Sequence, residues 1–183
     1  MRVIAGIAKG RALKSPRGDS TRPTSDKVRG AIFNALWSRS SPPLEGARVL
    51  DLFAGTGALG IEALSRGAAH ATFVERDRHA IDVLRANLEA TRFTEQATVL
   101  AKDAEVLDAQ ALGAPFDLVF ADPPYVLVPK SRSLARLATL LAPGGLAVVE
   151  FDTGAPPPLP PGLVAADERR YGSTSVTFFV AEE

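Results

Sequence analysis

The chain has 183 residues, 46% of them apolar, which suits one globular domain with a substantial core. It has no cysteine and only two histidines, His70 and His79. That composition excludes disulfides, thiolate zinc sites, iron–sulfur clusters and cysteine nucleophiles, and it argues against a histidine-built metal centre. The formal charge sums to zero, yet residues 1–39 carry nine basic side chains against Asp19 and Asp26, so a basic arm of net +7 precedes a body of net −7.

In chain order, Arg2–Ile7 and Arg11–Lys14 read as two short strands joined through Ala8-Lys9-Gly10, a hairpin. Pro16–Pro23 is turn-rich, and Thr24 or Ser25 can cap a helix whose first turn carries Asp26. Val28, Ile32, Ala35 and Leu36 recur on one face of that helix, Phe33 and Trp37 are assigned to the core as well, and Pro42-Pro43 stops the segment. From Arg48 strands alternate with helices. Short apolar strands are expected at Val49–Phe53, Ala71–Glu75, Thr98–Ala101, Phe116–Ala121 and Leu146–Phe151. Helical patterns lie near Ala58–Arg66, Asp77–Thr91, Ala104–Leu112 and Ser131–Leu141, the last ended by Pro143-Gly144-Gly145. Pro156–Pro161 is too proline-dense for helix or central strand, and Leu163–Arg170 and Ser175–Ala181 look like an antiparallel pair around Tyr171-Gly172. The expected fold is α/β and Rossmann-like: a doubly wound, mostly parallel sheet of seven strands with an antiparallel last strand. One domain is expected over residues 1–183, an arm (1–43) followed by a catalytic core (44–183). With no bilayer-length apolar stretch and no signal-peptide pattern, the expected compartment is the cytoplasm.

Asp51-Leu52-Phe53-Ala54-Gly55-Thr56-Gly57-Ala58-Leu59-Gly60 lies at a strand-to-helix junction and satisfies GxGxxG. Glu75 ends the next strand, placed to hold both ribose hydroxyls of a nucleoside cofactor. A nicotinamide dinucleotide and S-adenosylmethionine both fit that pattern. Asp51 leans toward the second, because its carboxylate suits a cationic amino-acid moiety and repels a pyrophosphate. Asp103 could accept from an adenine amine or merely cap a helix. The candidate cofactor residues are Asp51, Phe53, Ala54, Gly55, Thr56, Gly57, Glu75, Arg76, Asp103, Ala104 and Asp122.

Asp122-Pro123-Pro124-Tyr125 ends the fourth strand. In the strand order 3-2-1-4-5-7-6 usual for methyltransferases, it faces the glycine loop across one cleft at the topological switch point. An exocyclic aromatic amine is a poor nucleophile because its lone pair is delocalised. Two acceptors, the Asp122 carboxylate and the Pro123 carbonyl, can each take one N–H and aim the lone pair at a methyl donor. The prolines stiffen the backbone, and Tyr125 offers a flat face for a base. This chemistry needs no metal.

These motifs resemble those of class I methyltransferases. With Arg2-Val3-Ile4-Ala5-Gly6, Lys9-Gly10-Arg11, Arg22-Pro23-Thr24-Ser25-Asp26-Lys27-Val28-Arg29, Ile32-Phe33-Asn34 and the terminal Tyr171-Gly172 pair, the chain closely resembles the RsmD family of bacterial ribosomal RNA guanine-N(2) methyltransferases along nearly its whole length. The resemblance implies S-adenosylmethionine as donor and, as target, the two-amino group of a guanine in small-subunit (16S) ribosomal RNA, within a partly assembled subunit. It also implies a monomer without membrane or metal partners. Arg11, Arg22, Lys27 and Arg29 are then expected on RNA phosphates, with Arg22 alternatively holding the helix or reaching the cofactor pocket. Rival readings are an adenine amine methyltransferase on DNA or RNA, a glutamine methyltransferase of a release factor, a nicotinamide-dependent oxidoreductase and a non-catalytic RNA-binding protein.

Overall fold

The computed structural model describes residues 1–15, 26–38 and 43–182. Seven strands form one sheet: β1 (Arg48–Leu52), β2 (His70–Glu75), β3 (Ala97–Ala101), β4 (Phe116–Ala121), β5 (Leu141–Asp152), β6 (Leu163–Tyr171) and β7 (Thr174–Ala181). Their order is β3-β2-β1-β4-β5-β7-β6, with parallel pairing up to β5 and antiparallel pairing of β7 with both β5 and β6. This is the expected order. It puts the β1/β4 junction, where the winding reverses, at the middle of the sheet.

Alternation along the strands splits the core into two layers, because successive side chains leave opposite faces of a pleated sheet. Val49, Phe73, Leu118, Phe120, Leu146 and Val148 pack on one side, with helices α1 (Asp26–Trp37), α2 (Ala58–Ser65) and α3 (Arg78–Thr91). Leu50, Leu52, Val74, Val119, Ala147 and Val149 pack on the other, with α4 (Ala109–Leu112), α5 (Arg132–Ala135) and α6 (Leu137–Leu140). On the first side Phe33 of α1 sits 5.5 Å from Phe120, ring to ring, beneath the Arg66 guanidinium at 4.9 Å. Among the described residues, no helix is long and apolar enough to cross a membrane.

Several elements differ from expectation. The arm turns back on itself, but the hairpin shrinks to one bridge, Arg2 to Ala12. Val3, Gly10 and Leu13 N–H still donate across the turn, but four other donors are taken elsewhere: Ile4 and Ala5 N–H go to the Glu62 carboxylate, Ile7 N–H to the Ser65 carbonyl and Ala8 N–H to Ser65 Oγ. The helix expected at Ala104–Leu112 is only the single turn of α4, since Asp108 caps it by accepting from Ala111 N–H and the residues before it form turns. The helix expected at Ser131–Leu141 is two short helices interrupted at Arg136, and β5 starts at Leu141, with a register shift opposite Phe116 and Leu118 that absorbs Pro143-Gly144-Gly145. Trp37 ends α1 with 77% of its surface exposed, so it is not a core residue, whereas Phe33 is fully buried. The expected turn at Pro16–Pro23, the Thr24 or Ser25 cap and Pro42 lie outside the described residues.

Candidate active site

Register assembles the site. Leu52 of β1 pairs with Val74 of β2 on one side and with Ala121 of β4 on the other. The next residues, Glu75, Phe53 and Asp122, therefore lie in a row at the carboxyl ends of three adjacent strands. Ala121 also pairs with Val149, so Glu150, only 6% exposed, sits beside Asp122. The sequence reading missed this acid because it falls inside an apolar strand.

The glycine loop bends sharply over this row. Phe53, Gly55 and Gly57 have φ of 59°, 54° and 78°, and Gly57 N–H donates to the Ala54 carbonyl at 2.8 Å. Glycine is needed at position 57 for space as well as for φ, since a Cβ there would lie 2.2 Å from Leu84 Cδ1. Glu75 Oε2 accepts from Gly55 N–H at 2.8 Å, and Oε1 accepts from the N–H groups of Arg76 and Asp77, both at 2.9 Å. Three backbone donors thus fix this carboxylate against the loop.

Asp51 shares the α2-facing side of β1 with Val49 and so points at the start of α2, where Oδ2 accepts from Gly60 N–H at 2.9 Å. It is 2% exposed. Burial pushes its carboxyl up to about 8, opposed by the Gly60 bond and reinforced by the negative Glu75. A cationic ligand group beside it would lower that value and draw the carboxyl into its charged form.

Beyond β3, Asp103 Oδ2 accepts from Arg76 Nη1 at 2.9 Å and Oδ1 from Glu105 N–H at 3.0 Å. The Glu105 N–H first, and then Arg76, hold this carboxyl below its ordinary range. Asp103 therefore closes a turn rather than capping a helix, and Arg76 brackets the β2 and β3 ends. Ala104 is 4% exposed and packs in the second core layer. Glu105, unmarked by any motif, gathers Ser131 Oγ (2.6 Å), Ser133 Oγ (2.8 Å) and Arg132 N–H (2.7 Å). Burial alone would raise its carboxyl, but these donors outweigh it and leave Glu105 more acidic than usual.

The tetrapeptide leaves β4 with Pro123 buried, Asp122 and Tyr125 half-buried and Pro124 exposed. Its carbonyls start a tight turn: Pro124 accepts from Leu127 N–H at 2.8 Å and Tyr125 from Val128 N–H at 3.3 Å.

The proposed RNA-gripping cations divide. Arg29 is 0% exposed: its guanidinium donates to the Arg2 carbonyl and to Asp26 Oδ1 at 2.8 Å, and its Nε lies 3.8 Å from Glu62. It is a buried strut and is withdrawn from the RNA contacts, because the apolar face of α1 carries it against α2. Arg11 is half-buried and donates from Nη1 to the Ala90 carbonyl at 2.8 Å, tying the arm to the end of α3. Lys27 is exposed, and Arg22 lies outside the described residues. Three buried polar residues that dock the arm were missed. Glu62 and Ser65 hold its backbone from α2, and Gly6 passes so close that a Cβ would lie 1.7 Å from the Ser65 carbonyl oxygen. Asn87 of α3 exchanges bonds with Lys14 N–H (2.7 Å) and Lys14 C=O (3.1 Å) and donates to the Thr56 carbonyl at 3.0 Å. The arm is thereby linked to the glycine loop. A lone acid in an apolar helix was the available signal for Glu62.

Comparison with known proteins follows the same lines. The family model described as conserved hypothetical protein 95 matches residues 1–180. YlbH of Bacillus subtilis (strain 168), provisionally named an rRNA methyltransferase, is 44% identical over 188 residues, 98% of each chain. Ribosomal RNA small subunit methyltransferase D of Haemophilus influenzae is 34% identical over 98% of this chain and 93% of its own. Among solved structures, yhhF of Escherichia coli, provisionally titled a methyltransferase, superposes with a TM-score of 0.81 at 35% identity, covering 100% of this chain and 98% of that one.

Proposed function

The chain belongs to the RsmD family of small-subunit ribosomal RNA methyltransferases, and on that footing we propose that it methylates the two-amino group of a guanosine in 16S ribosomal RNA, with S-adenosylmethionine as donor. The observation that carries this reading is the row of Glu75, Phe53 and Asp122 at three in-register strand ends, with Glu75 bonded to Gly55.

The donor set fits that cofactor. Glu75 has the position and charge to hold ribose hydroxyls, Asp103 and Arg76 border the adenine side, and Asp51 is buried where a cationic ammonium would draw it into its charged form. Phe53, Ala54, Thr56 and Ala104 line the same crevice in this reading. When bound, S-adenosylmethionine supplies a methyl group on a positively charged sulfur.

The chain's own residues prepare the nucleophile. The Asp122 carboxylate and the Pro123 carbonyl accept the two N–H bonds of the guanine amine, which draws its nitrogen toward tetrahedral geometry and exposes the lone pair. Tyr125 stacks on the base, and the turn bonds at Pro124 and Tyr125 hold that loop before the substrate arrives. A paired guanine hides this amine, so the base is taken from a loop or unstacked. Lys27, and Arg22 of the same segment, meet phosphates. The whole chain acts as one domain, a cytoplasmic monomer whose substrate is a partly assembled subunit.

The test is transfer of tritiated methyl groups to small subunits purified from a strain lacking the gene. Wild-type protein should label N2-methylguanosine, and Asp122→Ala should lower the rate about 100-fold or more while keeping S-adenosylhomocysteine affinity. Label in adenosine, or full activity in Asp122→Ala, overturns the reading.

A further inference from the structure

The body of the protein is acidic, yet between Asp122 and Glu150 there is no acidic residue, while Lys130, Arg132 and Arg136 all fall there. This local reversal of charge begins at the catalytic tetrapeptide. The segment after Tyr125 runs through a short 3-10 turn (Val128–Lys130) into α5. Val128 is 1% exposed and anchors it in the core, whereas Val126 is 80% exposed. Lys130 and Arg132 are exposed as well.

The segment is also held from below. Glu105 grips Ser131 Oγ, Arg132 N–H and Ser133 Oγ, and Ser131 and Ser133 are 7% and 2% exposed. Arg136 adds a bracket, donating to the Glu105 carbonyl at 3.1 Å and to the Arg132 carbonyl at 3.1 Å. Glu105, the carboxylate beneath the segment, directs both oxygens at these three donors. Outward, the strap presents an apolar side chain and two cations. Arg136 is engaged in bracing, which leaves Lys130 and Arg132 as its outward charges.

We propose that residues 126–132 form a second RNA-contact surface, contributed by the catalytic core and separate from the amino-terminal arm, on which Lys130 and Arg132 bind the phosphates flanking the target base. This rests on the reading of the substrate as RNA. Cations carried on a braced backbone beside the acceptor loop position a strand at lower entropic cost than cations on a loose loop, and a phosphate contact carries register without reading sequence. The strap sets where the backbone lies, and Tyr125 receives the base.

The experiment is filter binding of undermodified small subunits across 50–300 mM salt, comparing wild type with Lys130→Glu/Arg132→Glu. Because each neutralised phosphate contributes about 0.7–0.9 to the slope of log affinity against log salt, the double variant should lose roughly 1.5 from that slope, and about tenfold or more in affinity at low salt. Both substitutions are at the surface, so melting temperature and S-adenosylhomocysteine affinity should stay at wild-type values. Unchanged subunit affinity and slope in the double variant overturn the second surface while leaving the methyltransferase reading intact. Failure of wild-type protein to bind subunits at all removes the parent reading and this one together.

Discussion

Replacing Asp51 by asparagine separates what the site needs from what the fold prefers. The amide keeps an acceptor oxygen for Gly60 N–H and fills nearly the same volume, but it carries no proton to titrate. In wild type the folded-state carboxyl lies at about 8 against a reference of 3.8, so between those values the folded protein binds a proton that the unfolded chain does not. Stability contributed at this site is therefore greatest near pH 4 and falls as pH rises toward 8. At pH 7 the penalty is on the order of 4 kcal/mol, from 1.36 kcal/mol per pKa unit. Asp51→Asn should lift that penalty, raising Tm by roughly 8–16 °C at pH 7 for a chain of this size, with the two proteins converging near pH 4. Thermal melts from pH 4 to 9 measure it. Ligand affinity should move the other way: in wild type, S-adenosylhomocysteine should bind more tightly as pH rises from 6 to 8 and the carboxylate forms, while the variant binds weakly with no such slope. Parallel stability profiles for the two proteins, or a variant that binds the ligand as well as wild type, would refute the argument.

Other perturbations probe the remaining links. Gly57→Ala puts a methyl group 2.2 Å from Leu84 Cδ1 at a φ of 78°, and should cost about 1–3 kcal/mol in urea melts and weaken cofactor binding. Arg29→Ala removes the donors to the Arg2 carbonyl and Asp26 but leaves Glu62 paired with Arg66 at 2.8 Å, so it should cost about 1.5–3 kcal/mol, without changing the salt dependence of subunit binding at permissive temperature. A reduced salt slope would return Arg29 to the RNA surface. Lys27→Glu should do the reverse, weakening subunit binding by about threefold to tenfold with a Tm within about 2 °C of wild type.

The strands, the glycine loop, Glu75 and the tetrapeptide were legible in the sequence because each is a local pattern, whereas the order of the sheet was expected only from the likeness to methyltransferases. Apolar runs mark strands, glycines mark the sharp bend, and both kinds of motif sit at strand ends, where a parallel sheet exposes its loops. The comparison with known proteins reached the same family. What local patterns do not contain is who receives a hydrogen bond. Arg29 reads as one more arm cation until α1 packs on α2 and buries it against Glu62. The arm's two strands read as a full ladder until Glu62 and Ser65 claim four of its donors. Glu105 and Asn87 lie 26 and 31 positions from the groups they hold at Ser131 and Thr56, separations at which no spacing rule operates. The unusual protonation of Asp51 is likewise a property of its surroundings, since the same side chain in water would be an ordinary acid. Sequence alone determined which chemistry could occur and on which strand ends. Tertiary structure decided which charges remain free to meet a substrate, because burial and long-range hydrogen bonds, rather than residue type, set whether a polar group is spent inside the fold.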